Sequence, residues 1–242
     1  MDDAIFLSLR RRANVFKFGT ENLLNEYFQA QGKNSFKSAE LAQGNVTNFT
    51  EYATEKIRES EANNTACIFS SVSKDVTTFN ANFDDVQQIE NRLLKMHWRD
   101  FEYLSSSILE TGFDAVDVRT TQSSGDGGVD FEGKILIGSS EAKLRYGEIE
   151  VYGQSKKYAG NVGIYDIKSF VAFANSKKRN YVHHPQIFMF FTTSEFASSA
   201  LKEIEENGFI GLNRSQIALL IYNHRDRLLT RSEVIRTQVL GS

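Results

Sequence analysis

After Val86 the spacing of apolar residues changes period again and again, and this alternation narrows the possible folds more than any other feature of the chain. Ile89, Leu93, Leu94, Trp98, Phe101, Leu104, Ile108 and Leu109 recur at helical intervals and Gly112 supplies a stop, so one helix is predicted across this stretch. Residues 115–120 alternate as a strand, and strands are predicted over 128–137 and 148–158 with a polar hairpin region at 138–147. Residues 166–176 read as an amphipathic helix and 186–193 as a buried strand. A helix over 194–207 has Ser194 as its N-cap and Gly208 as its stop. A short strand at 209–212 and a core helix at 215–224 complete the series. The order α-β-β-β-α-β-α-β-α predicts an α/β domain, a mixed sheet with helices on both faces.

The first 88 residues differ in character. They hold 9 Lys/Arg against 12 Asp/Glu and carry the whole formal net charge of −3, whereas residues 89–242 hold 19 of each. Residues 6–12 predict a short strand or helix, 21–31 a helix ended by Gly32, 50–62 a helix, and 71–83 a strand and turn. This part is an N-terminal extension or small domain, with a recognition or regulatory role expected, giving divisions of 1–88 and 89–242.

With 40% apolar residues, a single proline and 19 phenylalanines, the chain is ordinary globular protein rather than low-complexity sequence. The slightly acidic balance means that any nucleic-acid contact must rely on a local positive stripe. Cys67 is the only cysteine, which excludes disulfide frameworks and cysteine-based zinc sites within the chain. Asp2 and Asp3 open the sequence where a signal peptide would be basic and apolar, and no apolar run approaches the ~20 residues of a membrane span. A soluble cytoplasmic protein is expected.

Chemistry concentrates in Ser-Gly-Asp-Gly-Gly-Val-Asp, residues 124–130, which delivers Asp130 from a permissive turn to the start of a strand. Gln154 and Lys156 stand two apart on a later strand and therefore point to one face. A carboxylate, an amide oxygen and an ammonium group on one sheet face can hold a divalent metal and activate water for phosphodiester cleavage. The bland alternatives are a plain Gly-rich turn and a solvated strand lysine. Glu102, four residues after Trp98, is the remaining candidate acid, although helix glutamates are usually just solvated.

Glu141-Ala142-Lys143 competes as another acid and lysine two apart, but its Ser/Gly surroundings read as hairpin, leaving Lys143 and Arg145 for phosphate contact. A rigid strand holds catalytic geometry better than a loop, which favours the Gln154/Lys156 pair. His183 and His184 precede Pro185 in a loop without zinc-motif spacing, and no phosphate-loop motif or Ser-His arrangement is present. The Arg10-Arg11-Arg12 run could touch a DNA backbone, but such a run is more often a solvated patch.

Taken in order, Trp98-Arg-Asp-Phe101-Glu102, Gly112-Phe113, Gly125-Asp-Gly-Gly-Val-Asp130, Gln154-Ser-Lys156 and Phe191-Thr-Thr-Ser-Glu-Phe196 resemble the catalytic domain of Mrr-type restriction endonucleases, in the PD-(D/E)XK nuclease superfamily. The resemblance covers about half the chain, residues 98–222. It implies a restriction-endonuclease-like fold with a catalytic set of Asp130, Gln154, Lys156 and Glu102. It further implies Mg²⁺ (Mn²⁺ as substitute) on Asp130, Gln154 and Glu102. The family's usual Gln-Ala-Lys stands here as Gln-Ser-Lys, and residues 1–88 do not match the winged-helix domain that often precedes this nuclease.

The expected function is a Mg²⁺-dependent DNA endonuclease in restriction and defence, working as a homodimer or with a partner subunit. Lys143, Arg145, Lys157, Lys177, Lys178 and Arg179 are the expected phosphate contacts. The alternatives are a structure-specific nuclease or junction resolvase, and a non-catalytic DNA-binding subunit that has kept the fold.

Overall fold

The computed structural model describes residues 1–121, 128–139, 144–180, 185–231, 237 and 239. The chain packs as two compact units, Met1–Val86 and Gln87–Ser242.

The first unit opens with α1 (Asp3–Ala13), a helix rather than a strand. The Asp2 side chain caps it by accepting from the Ala4 N–H. After β1 (Lys17–Gly19) and α2 (Thr20–Ala30) comes α3 (Ser35–Asn63), 29 residues long and begun by Asn34, whose side chain accepts from the Lys37 N–H. Only its second half is legible as helix in the sequence, because Gly44 and the Asn/Thr content lower local propensity. The fold overrides this: Ala42, Phe49 and Ala53 bury one face, and Asn45, Thr50 and Thr54 bond the carbonyls four residues before them.

A hairpin of β2 (Phe69–Val72) and β3 (Val76–Phe79) joins β1 in an antiparallel sheet of order β1-β3-β2. Phe6 is the hub of this unit's core, stacked on Tyr27 at 4.5 Å and packed against Phe49 and Phe69. The arginine run of α1 pairs with acids of its own unit: buried Arg10 and exposed Arg11 with Asp84, and exposed Arg12 with Glu26.

The single helix predicted through residues 89–109 is two. α4 (Phe83–Lys95) stops, and His97, extended at φ −70° and ψ 149°, caps α5 (Trp98–Gly112) by accepting from the Arg99 N–H through Nδ1. The apolar period runs through the break because Leu93 and Met96 before it and Phe101 and Leu104 after it are all buried. Glu102 is consequently near the start of a helix and not in its middle.

The second unit is built on five strands: β4 (Val116–Thr120), β5 (Phe131–Ser139), β6 (Leu144–Lys156), β7 (Gln186–Thr192) and β8 (Ile210–Leu212). They lie in chain order, with β4, β5 and β6 antiparallel and β6, β7 and β8 parallel, so the sheet is mixed as the sequence predicts. β6 is longer than its predicted span, since the ladder with β5 continues to Ser139 opposite Leu144. The residues between them, including Glu141 and Lys143, are outside those described, as are residues 122–127 and His183 and His184.

Helices cover both faces. α6 (Ile164–Asn180) and α7 (Ser198–Glu206) enclose a core of Phe170, Phe188, Phe190, Phe196 and Phe209. α5 packs against β4, β5 and β6 on the other face, and α8 (Arg214–Asn223) against β7. α8 begins with a reciprocal capping box between Asn213 and Gln216. α9 (Arg225–Arg231) follows, unanticipated in the sequence.

α7 is shorter than predicted and Ser194 is not its cap. The chain bends at Thr193 and Ser194, Phe196 makes an isolated bridge with Val162, and the buried Ser194 hydroxyl pairs with Thr192 Oγ1 at 3.0 Å. Gly208, at φ +66°, provides the stop.

Candidate active site

β5 and β6 bring the candidate residues together by register. The paired register of β5 and β6 ends with Phe131 opposite Gly153, and Asp130 is the residue before it. Gln154 and Lys156, two apart on β6, share a face. The close fit at the Phe131–Gly153 pair fixes this alignment: a Cβ at Gly153 would lie 1.9 Å from the Phe131 ring.

At Asp130 the regular ladder gives way to a side chain. The Asp130 N–H still donates to the Gly153 carbonyl at 2.8 Å, but the next amide of β6, Ser155 N–H, donates to Asp130 Oδ2 at 2.7 Å. One carboxylate oxygen is thereby fixed, while Oδ1 takes no hydrogen bond from a described residue. Burial pushes the Asp130 carboxyl above the ordinary carboxylate range, against the lowering effects of the Ser155 amide and the Lys156 charge.

Gln154 is 5% exposed, and its Oε1 is buried without a hydrogen-bond donor among the described residues. Such an orphan acceptor costs about 1–3 kcal/mol. Gly128 lies against the same amide: it has φ +94°, and a Cβ there would come 2.9 Å from Gln154 Nε2. A side chain would be strained by that backbone and would also crowd the amide.

Ser155, between Gln154 and Lys156, points the other way. Its hydroxyl donates at 2.9 Å to Ser105 of α5, whose own hydroxyl donates to the Phe101 carbonyl. This buried link ties the helix to the strand, and Glu102 lies one turn before Ser105 on α5. Glu102 therefore reaches the Asp130 end of the sheet. Its carboxyl is raised first by burial and then by the Asp130 charge, and lowered by Lys156 and Arg99. Three charged side chains from α5, the start of β5 and the end of β6 thus act on one another.

The other expected contacts are dispersed. Lys157 directly follows β6 and is half-buried. Lys177 lies over the Tyr152 and Phe173 rings, and Lys178 over Phe188 and Phe209, alongside earlier residues of β6 and β7. Arg145 is placed by its backbone opposite Gly138, but its side chain and that of Arg179 are outside the description, and Lys143 is so entirely. The sequence reading missed Arg99 and Ser105, whose only signals are the turn-apart spacings Arg99–Glu102 and Glu102–Ser105.

The family model of the Mrr catalytic domain, described as restriction endonuclease, matches residues 93–221. The chain belongs to this family. The match takes in α5 and the strands that carry Asp130, Gln154 and Lys156. Two solved structures are similar to this Mrr catalytic domain chain. One is the MspJI restriction endonuclease in complex with a 27-mer oligonucleotide, 23% identical over 67% of this chain and 33% of that one, TM-score 0.42. The other is the DNA modification-dependent restriction endonuclease AspBHI, 19% identical over 58% of this chain and 35% of that one, TM-score 0.44. The chain spans about a third of the length of each. No curated protein matches it. Among the described residues, no helix is long and apolar enough to cross a membrane.

Proposed function

We propose that this Mrr-family chain is a divalent-metal-dependent endonuclease that hydrolyses phosphodiester bonds of DNA in the restriction of foreign DNA. The observation that carries the reading is Gln154 Oε1, buried without a donor among the described residues, next in β6 to the Ser155 amide that holds the Asp130 carboxylate. A folded protein keeps such an acceptor desolvated at a cost, and a cation removes that cost. A non-catalytic subunit would have no need of it.

Asp130, Gln154 and Glu102 offer oxygen donors alone, the set that suits Mg²⁺ and also Mn²⁺. When bound, the ion supplies charge neutralisation at the phosphate and a more acidic water. The chain's own residues do the rest. The Ser155 amide holds Asp130 in one orientation, and the Ser155–Ser105 link sets the helix of Glu102 against the strand of Gln154. Lys156, on the Gln154 face, has an ammonium group suited to hold the attacking water or to neutralise charge growing on the phosphate. Lys157 would meet the adjacent backbone, and the Met1–Val86 unit would serve recognition or regulation. One such site cuts one strand, so double-strand cleavage calls for a homodimer or a partner subunit.

The test is plasmid cleavage in Mg²⁺ or Mn²⁺, with methylated and unmethylated DNA, by the native chain, Asp130→Ala and Lys156→Ala. Both variants should lose at least about a hundredfold in rate, as expected when a charge-stabilising group is removed. Near-native metal-dependent cleavage by either one would mean that the active site is elsewhere.

A further inference from the structure

Several cations of the Gln87–Ser242 unit are paired with acids: Arg119 with Glu132, Lys134 with Glu148, Arg227 with Asp114. Arg99 is different. It is exposed, and among the described residues no carboxylate lies within ion-pair distance of it. Its guanidinium lies 5.0 Å over the ring of Trp98, which is itself 42% exposed. Both residues are in the first turn of α5, and Arg99 is one turn from Glu102, so the two side chains are neighbours on the helix surface.

Arg99 lies close enough to Glu102 for its charge to act on that carboxyl, which puts the guanidinium beside the site. A guanidinium laid on an aromatic ring is pre-oriented, its N–H edge is left for a ligand, and its planar fork matches two phosphate oxygens. A base would instead need an unoccupied ring face, and Trp98 has His97 at 5.4 Å in addition to Arg99.

We propose that Arg99, braced on Trp98, binds a backbone phosphate of the DNA beside the one that is cleaved. This rests on reading the site as a nuclease centre. In that arrangement Arg99 is a substrate-binding residue and Trp98 a positioning residue that fixes the guanidinium plane.

Trp98 is the only tryptophan in the chain, so its emission reports on this spot without a label. The experiment uses the full chain carrying Asp130→Asn, which blocks cleavage, titrated with a fluorescein-labelled duplex by anisotropy over a range of salt. Saturating duplex should change the Trp98 emission. Adding Arg99→Ala should weaken binding about tenfold, the effect of one charge-assisted contact. It should also reduce the slope of log affinity against log salt by about 0.9, one phosphate's worth. Arg99→Lys, which keeps the charge without the braced fork, should fall between them. If the Arg99→Ala protein binds with unchanged slope, or Trp98 emission ignores bound duplex, the Arg99 assignment fails and the nuclease reading stands. If the Asp130→Asn chain itself does not bind duplex at low salt, both fail.

Discussion

The backbone N–H of Ser155 donates at 2.7 Å to Oδ2 of Asp130, so the carboxylate ahead of one strand is held by the next strand's amide. The same residue's hydroxyl reaches the other way, to Ser105 on α5. Ser155 therefore joins all three elements of the site.

The two serines of that link should differ in cost. Ser105→Ala strands the buried Ser155 hydroxyl without an acceptor and should destabilise by about 1–3 kcal/mol. Ser155→Ala leaves Ser105 bonded to the Phe101 carbonyl and should cost about 1 kcal/mol or less. Urea unfolding checks the order, and equal losses would mean that the link is not made as described. The milder change restores Gln-Ala-Lys, the form that the family resemblance implies is usual.

Gln154→Met should separate stability from function. Without metal, the variant should be about 1 kcal/mol more stable than the native chain because the orphan acceptor is gone. Mg²⁺ should raise the native melting temperature through binding linkage and leave that of the variant where it was. Calorimetry with and without Mg²⁺ reads both. A metal-free variant less stable than native would show that the amide oxygen was already satisfied.

The strand register depends on Gly153. Gly153→Ala drives a methyl group into the Phe131 ring and should cost roughly 3 kcal/mol, the upper range for overpacking, or prevent folding. Gly147→Ala on the same strand meets no described atom within 4 Å and should stay within about 0.5 kcal/mol. Comparable urea midpoints for the two variants would contradict the close Gly153–Phe131 packing.

Burial raises the Asp130 carboxyl above its unfolded value, so the folded protein binds that proton more tightly than the unfolded chain does. Stability from this group is present in full below the unfolded pKa and is lost as pH rises through the raised folded pKa. Asp130→Asn removes this dependence. In metal-free buffer the variant should gain on the native chain as pH rises from acid toward neutral, and the gain should level off above the folded pKa. A stability difference that is flat across that range would place the carboxylate in a better-solvated setting.

Much of this was legible in the chain itself. The period changes after Val86 mark the strands and most helices because burying one face of each element dictates where apolar residues recur. Gln154 and Lys156 share a face by the same two-residue rule, so that pairing needs no coordinates.

What the sequence could not carry is whatever depends on two distant segments meeting. It read one helix where His97 breaks it, since both halves bury apolar residues at compatible intervals. It read half of α3, because burial of Ala42, Phe49 and Ala53 outweighs the Asn, Thr and Gly propensities. Only the tertiary structure sets the Asp130 carboxylate on the Ser155 amide, buries the Gln154 oxygen away from every described donor, links Ser155 to Ser105 and brings Glu102 under the Asp130 charge. Each follows from strand register and desolvation, which arise when segments far apart in the chain exclude water together and have no trace in local residue order.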